Sequence, residues 1–302
     1  MAFLLGLAAK SLAGYLGLTA ALFMLSGVVP RAGFVARVLG AYLALLVVAI
    51  INMVVTTAMW LVGYGDSSQW AGARVYHLFM RMATGVDFVI DDPRGLLRSV
   101  RPAVFVGNHQ TELDVHMLGA MFPKHCSVTA KSDLKHVPFF GWWMNLSGTI
   151  FIDRKNHKGA REAMAGAAAE IRSRRQSVYI FPEGTRSYAK DPVLLPFKKG
   201  AFHLAVQAGV PIVPCVVANY SHVLYIKDMV FKPGTVPVKI LDPIPTEGLT
   251  AADVDELART VREVMLKEYV ALSAKAKGQP MPVAASSGKP LESNGNHISV
   301  KS

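Results

Sequence analysis

Residues 103–114 read Ala103-Val104-Phe105-Val106-Gly107-Asn108-His109-Gln110-Thr111-Glu112-Leu113-Asp114. A short, wholly apolar run that breaks into polar residues marks a buried strand ending at a loop. The pattern recurs. Ser177-Val178-Tyr179-Ile180 leads into Phe181-Pro182-Glu183-Gly184-Thr185-Arg186-Ser187, and Gly148-Thr149-Ile150-Phe151-Ile152 leads into Asp153-Arg154. Strands are expected at 103–106, 126–130, 149–152, 178–181 and 212–217, with a late pair at 229–232 and 238–241. Between them, Ala160, Ala163, Met164, Ala167, Ala168 and Ile171 recur at three-to-four spacing, as on an amphipathic helix over 158–175. A second helix is expected over 199–208, ended by Gly209 and Pro211. Thr250 and Asp253 can cap a last one carrying Val254, Leu257, Val261, Val264 and Met265. Such alternation argues an α/β fold, a mostly parallel sheet flanked by helices.

The N-terminus is of another kind. No charged residue occurs from Ser11 to Val29 or from Val38 to Gly65, and either run, as a helix, is long enough to cross roughly 30 Å of hydrocarbon. Two runs separated by eight residues, with Lys10 the only early basic side chain, favour a membrane helical hairpin over a cleaved leader. Arg31 and Arg37 lie between the runs and Arg74 and Arg81 after them, so basic residues do not assign a membrane side. The apolar fraction of 52% fits a chain with such an anchor. The expected organisation is a hairpin over 1–65, a catalytic domain over 66–272, entered by a Gly-, Asp- and Arg-rich connection, and a disordered Ser/Gly/Asn-rich tail over 273–302.

A net charge of +11 suits anionic lipid headgroups and acidic substrates. Nucleic acid is the rival partner, but the basic segments carry no recognised nucleic-acid motif. Cys126 and Cys215 sit in apolar contexts and read as reduced core residues.

His109 is the candidate base and Asp114, five residues on, the carboxylate that could orient it. The same spacing also suits a structural histidine with Asp114 capping a helix. No Gly-x-Ser-x-Gly elbow accompanies the pair, so the hydroxyl to be activated would come from the substrate. A metal on His109, Asp114 and His116 lacks a supporting second set of ligands. Gly184 permits a tight turn, and Arg186, with Thr185 and nearby amides, can grip a phosphate. Arg154 and Lys131, at two further strand ends, can complete a basic ring, because such ends converge on one crevice.

Four blocks carry a resemblance over about residues 75–265. They are Asn108-His109 with Asp114, Phe151-Ile152-Asp153-Arg154, Phe181 to Ser187, and Val210-Pro211-Ile212-Val213-Pro214. In this order they resemble the glycerolipid acyltransferase family, and in their fuller forms its 1-acyl-sn-glycerol-3-phosphate acyltransferases. The resemblance implies acyl transfer from acyl-CoA, a co-substrate, to the sn-2 hydroxyl of lysophosphatidic acid, giving phosphatidic acid without a cofactor. It makes His109 the general base oriented by Asp114, and puts Glu183, Gly184, Thr185 and Arg186 in the acceptor-binding block. Arg154 and Lys131 would help hold the phosphate. It further implies an integral protein of the endoplasmic reticulum membrane, with membrane lipids as partners. Glycerol-3-phosphate or another lysophospholipid is the alternative acceptor. A non-catalytic lipid-binding protein is the alternative of a different class.

Overall fold

The computed structural model describes residues 1–153 and 157–278. Two long helices come first, α1 (Ala2–Leu25) and α2 (Pro30–Leu61), joined by a tight turn. Both are long and apolar enough to cross a membrane. α1 is almost wholly exposed, whereas α2 is fastened at both ends to the rest of the chain. At one end Arg37 donates to the carbonyls of Thr84 (3.2 Å) and Phe231 (3.3 Å). At the other, Trp60 donates to Leu146 O (3.1 Å) and Trp143 to Thr56 Oγ1 (3.2 Å). Buried Asn52, midway, donates to Gly72 O (3.1 Å), so this polar side chain of an apolar helix faces protein.

The segment expected as a connection is ordered. It forms α3 (Ser68–Thr84), β1 (Val86–Asp91) and the short α4 (Leu96–Ser99). Val86, Phe88 and Ile90 alternate with Asp87, Val89 and Asp91, the period of a strand with one face on the core. After these come β2 (Val104–Gly107), α5 (Leu113–Met121), β3 (Cys126–Lys131), α6 (Phe140–Leu146), β4 (Ile150–Ile152), α7 (His157–Arg174) and β5 (Ser177–Ile180). The chain then runs through α8 (Gly200–Ala208), β6 (Ile212–Val217), the small hairpin β7 (Leu224–Tyr225) and β8 (Val230–Phe231), β9 (Gly234–Ile240) and α9 (Val254–Ala276). The capping box of Thr250 and Asp253 forms in the turn before α9. The expected strand at 229–232 is β8, outside the main sheet, and β9 begins four residues before the expected 238. The tail expected from 273 is helical as far as Ala276, and residues 279–302 lie outside the described residues.

The main sheet has the order β1-β9-β6-β2-β5-β3-β4 and is parallel except for the β6–β9 pair. Its central strands are buried on both faces, which is why they read as unbroken apolar runs. Val104, Val178, Ile180 and Ile212 pack with Ile171 of α7, Phe202 of α8 and Leu257 and Val261 of α9. Phe105, Tyr179, Val213 and Cys215 pack on the other side with Leu113, Met117 and Met121 of α5. α3 and then α2 lie over α5 on that side. Because β2, β3, β4 and β5 are parallel, the polar residues that follow them emerge along one sheet edge.

Tyr179 is fully buried, its hydroxyl has no hydrogen-bond partner, and a Cβ at Gly107 would overlap that hydroxyl. Gly107→Ala is expected to destabilise by about 1–3 kcal/mol through overpacking. Tyr179→Phe, which removes an unsatisfied polar group, should cost little and should rescue Gly107→Ala in part, because the ring carbon behind the hydroxyl, 2.8 Å from that Cβ, remains. Urea-unfolding midpoints of the three variants check this, and an additive double variant would show that the hydroxyl is not the obstacle.

Candidate active site

β2 delivers the Asn108–Asp114 loop and β5, its immediate neighbour, delivers the Phe181–Ser187 loop. Asn108 lengthens the sheet beyond β2. It does so with its side chain, whose Nδ2 donates to Val217 O (3.0 Å) and whose Oδ1 accepts from Val217 N (2.9 Å). The chain then turns, and Asp114 near the start of α5 folds back so that its Oδ2 meets Nδ1 of His109 at 2.8 Å.

That carboxylate is fully buried and surrounded by donors. Oδ2 also accepts from the amides of Gln110 (2.5 Å) and Thr111 (3.1 Å), and Oδ1 from the Tyr220 hydroxyl (2.6 Å). An acceptor so placed fixes the tautomer: Nδ1 of His109 carries the proton and Nε2 keeps its lone pair. The Phe181 ring stacks on the imidazole, 4.1 Å between centroids and 17° between planes, and holds its plane. His109 is 12% exposed, within reach of a substrate but mostly shielded.

Glu183 joins the two loops. Its Oε1 accepts from His109 N (2.7 Å) and its Oε2 from Leu195 N (2.8 Å). Burial pushes this carboxyl up to about 7, against the downward pull of the two amides. Ser187 N to His109 O (3.0 Å) and Tyr188 N to Gln110 O (3.1 Å) close the same seam. Gly184, at φ +69°, makes the turn, with the stem of Lys198 where a Cβ would stand. Thr185 is exposed at its tip. Arg186 pairs with Glu112 (3.2 Å), and its buried Nε has no partner.

The other expected residues stand apart. Lys131 ends β3, two strands from β2 and so roughly 10 Å along the sheet edge, and is paired with Asp133. Asp153 follows β4, one strand further, and Arg154 lies outside the described residues. His116 turns away and packs between Tyr76 and Phe88, where burial lowers it to about 3. Among the described residues, no three His, Cys, Asp or Glu side chains are grouped as metal ligands would be. Cys126 and Cys215 are free and buried, and burial pushes both thiols up.

Sequence reading missed Tyr220, Tyr269 and Phe181. Tyr220 holds Asp114 from 106 residues away, and Tyr269 of α9 donates to Gln110 Oε1 (3.1 Å) from 159 away. No local spacing rule reaches such distances. Phe181 opens the Phe181–Ser187 motif, but nothing in its identity tells stacking from core packing. A cavity of about 450 Å³ opens beside this network, lined by Gln110, Thr111, Tyr188, Tyr220 and Leu224 among others. His109 and Arg186 are not among its walls.

An acyltransferase family model matches residues 94–218, which contain both loops. The chain is 43% identical over 206 residues to the 1-acyl-sn-glycerol-3-phosphate acyltransferase of Saccharomyces cerevisiae, covering 68% of this chain and 67% of that one. The chain belongs to this acyltransferase family. The human 1-acyl-sn-glycerol-3-phosphate acyltransferase beta is also 43% identical, over 63% of this chain and 67% of its own length. The crystal structure of the 1-acyl-sn-glycerophosphate acyltransferase PlsC of Thermotoga maritima superposes with a TM-score of 0.59. It covers 85% of this chain and 96% of PlsC at 20% identity, a likeness of fold. The family's enzymes transfer acyl groups, and this chain is an acyltransferase of that family.

Tyr220→Phe removes a hydrogen bond to a buried carboxylate, worth about 1.5–3 kcal/mol. In steady-state acyl transfer it is expected to lower kcat about tenfold or more with little change in KM. A change confined to KM would remove Tyr220 from the support of Asp114. Glu183 gives a pH test. Its folded value, about 7, lies above the ordinary 4.5, so the stability it contributes is present below about 4.5 and lost as pH rises through about 7. Glu183→Gln cannot titrate, so the unfolding free energy of the wild type relative to this variant should fall over that interval. A rise would mean that the two amides outweigh burial.

Proposed function

We propose that this chain moves an acyl group from acyl-CoA to the sn-2 hydroxyl of 1-acyl-sn-glycerol-3-phosphate, giving phosphatidic acid and CoA. The observation that carries the proposal is the buried Asp114 on Nδ1 of His109, which leaves Nε2 as a directed base. Relatives named 1-acyl-sn-glycerol-3-phosphate acyltransferases support the choice of acceptor.

Nε2 takes the proton of the acceptor hydroxyl as its oxygen attacks the thioester carbonyl. The tetrahedral intermediate collapses, the C–S bond breaks, and the imidazolium returns its proton to the leaving CoA thiolate. Asp114 stabilises the imidazolium while it exists. A thioester is already activated, so no acyl-enzyme and no cofactor is called for. Arg186, which can turn from Glu112 toward an incoming anion, binds the acceptor phosphate with Thr185 and the amides around Gly184. Glu183 serves that block by fastening its loop to the His109 loop. Lys131 adds positive charge further along the sheet edge, and Arg154, which lies outside the described residues, is taken from the family resemblance as a further residue for the phosphate. α1 and α2 form a membrane hairpin that keeps the enzyme where lysolipid and acyl chains are concentrated. By resemblance to the microsomal members of the family, the membrane is that of the endoplasmic reticulum.

The test is CoA-thiol release by the purified, detergent-solubilised protein with oleoyl-CoA, with and without lysophosphatidic acid. Release should require the acceptor, yield phosphatidic acid, and fall by about 10² or more in His109→Ala. Near-normal turnover by a folded His109→Ala protein would refute the base. A preference for glycerol-3-phosphate or for a lysophospholipid with a larger headgroup would replace the acceptor.

A further inference from the structure

At the sheet edge opposite His109 lies a cleft of about 680 Å³ whose lining includes no residue of the His109 or Glu183 loops. It is lined where the parallel strands begin, by Arg101 before β2 and by Lys124 and His125 before β3, and by Trp70 and Arg74 of α3 and Arg98 of α4. The length of β2, roughly 13 Å, separates this end from the His109 loop. Four fixed cations, Arg74, Arg98, Arg101 and Lys124, face one carboxylate, Asp92. Both oxygens of Asp92 are occupied by the amides of Leu96 (2.7 Å) and Leu97 (3.0 Å). Among the described residues, none of the four cations is held in an ion pair. Burial lowers His125, which leaves it neutral near pH 7.

The cations are positioned. Half-buried Arg74 donates to the carbonyls of Gly119, Ala120 and Phe122 at the end of α5. The Trp70 ring carries Lys124 Nζ at 4.5 Å and Arg74 Cζ at 5.9 Å from its centroid. Apolar walls from Ile90, Leu97, Val100 and Phe122 lie beneath this charge. Further along the same i, i+4 stripe of α3 as Trp70 and Arg74 stand Leu78 and Met82, 54% and 65% exposed. Apolar walls under a cationic rim, beside an exposed apolar stripe, suit an anion attached to lipid.

We propose that this cleft is a second anion site, distinct from the acyl-acceptor site, which binds the phosphate-bearing headgroup of an anionic phospholipid. Arg98, Arg101 and Lys124 hold the phosphate oxygens, and the glycerol end rests on the apolar walls. The site does not depend on which acceptor the enzyme acylates.

The experiment titrates the full-length protein in neutral maltoside micelles with dihexanoyl phosphatidic acid, dihexanoyl phosphatidylcholine and sodium phosphate, by calorimetry. The wild type should bind dihexanoyl phosphatidic acid at two sites. Arg98→Ala/Lys124→Ala, both on exposed side chains, should weaken one site by about tenfold or more while leaving acyl transfer in neutral micelles unchanged. Arg186→Ala should weaken the other. Competition by sodium phosphate at the cleft would assign the recognition to the anion alone, and its failure to compete would assign it to the lipid-borne headgroup. An unchanged isotherm in the double variant, or equal binding of the zwitterionic lipid, would overturn the proposal.

Discussion

Everything at the reactive edge of this sheet hangs on one carboxylate removed from water. Asp114 has no exposed surface, and an ion in that position is costly unless donors surround it. They do: two amides of its own loop, a phenol from beyond β6, and the imidazole. The dependence runs both ways. The donors make the buried charge tolerable, and the charge dictates the path of the loop, because Gln110 and Thr111 can aim their amides inward only if the chain wraps around it. The same wrapping turns the lone pair of His109 outward. Local folding and the aiming of the imidazole are therefore one event.

The second loop joins by the same device at a neighbouring position. Glu183 spends both oxygens on backbone amides, one from each side of the seam. Two strand-end loops that would otherwise be independently mobile are thus locked in register. They are locked by adjacency as well, since β2 and β5 are hydrogen-bonded neighbours. Lys131, at the end of β3, and Asp153, just after β4, lie two and three strands away along the same edge.

Much of this was legible in the chain. The central strands announced themselves as apolar runs because both faces are covered, and the polar residues at their ends stood out against that background. The His109–Asp114 pairing was readable because five residues suffice to bring the two together. β1 was overlooked because acidic residues interrupt its apolar ones, as an edge strand allows. Tyr220 and Tyr269 were beyond any local rule: their contacts exist only after α9 has packed on the sheet and β6 has been laid beside β2. Glu183 was legible as part of a motif but not as a clamp, since its hydrogen-bond partners are main-chain amides, which carry no signature in the sequence.

α2 is riveted at three places along its length, through Arg37, Asn52 and the Thr56–Trp60 turn, to parts of the domain far apart in sequence. A helix held at a single point would act as a tether and let the domain swing. One held at three points acts as a keel. Whatever surface α1 and the outer side of α2 rest upon, the height and tilt of the His109 edge above it are set by protein–protein contacts rather than by linker length. The distance from that surface to the His109 imidazole is then built into the fold.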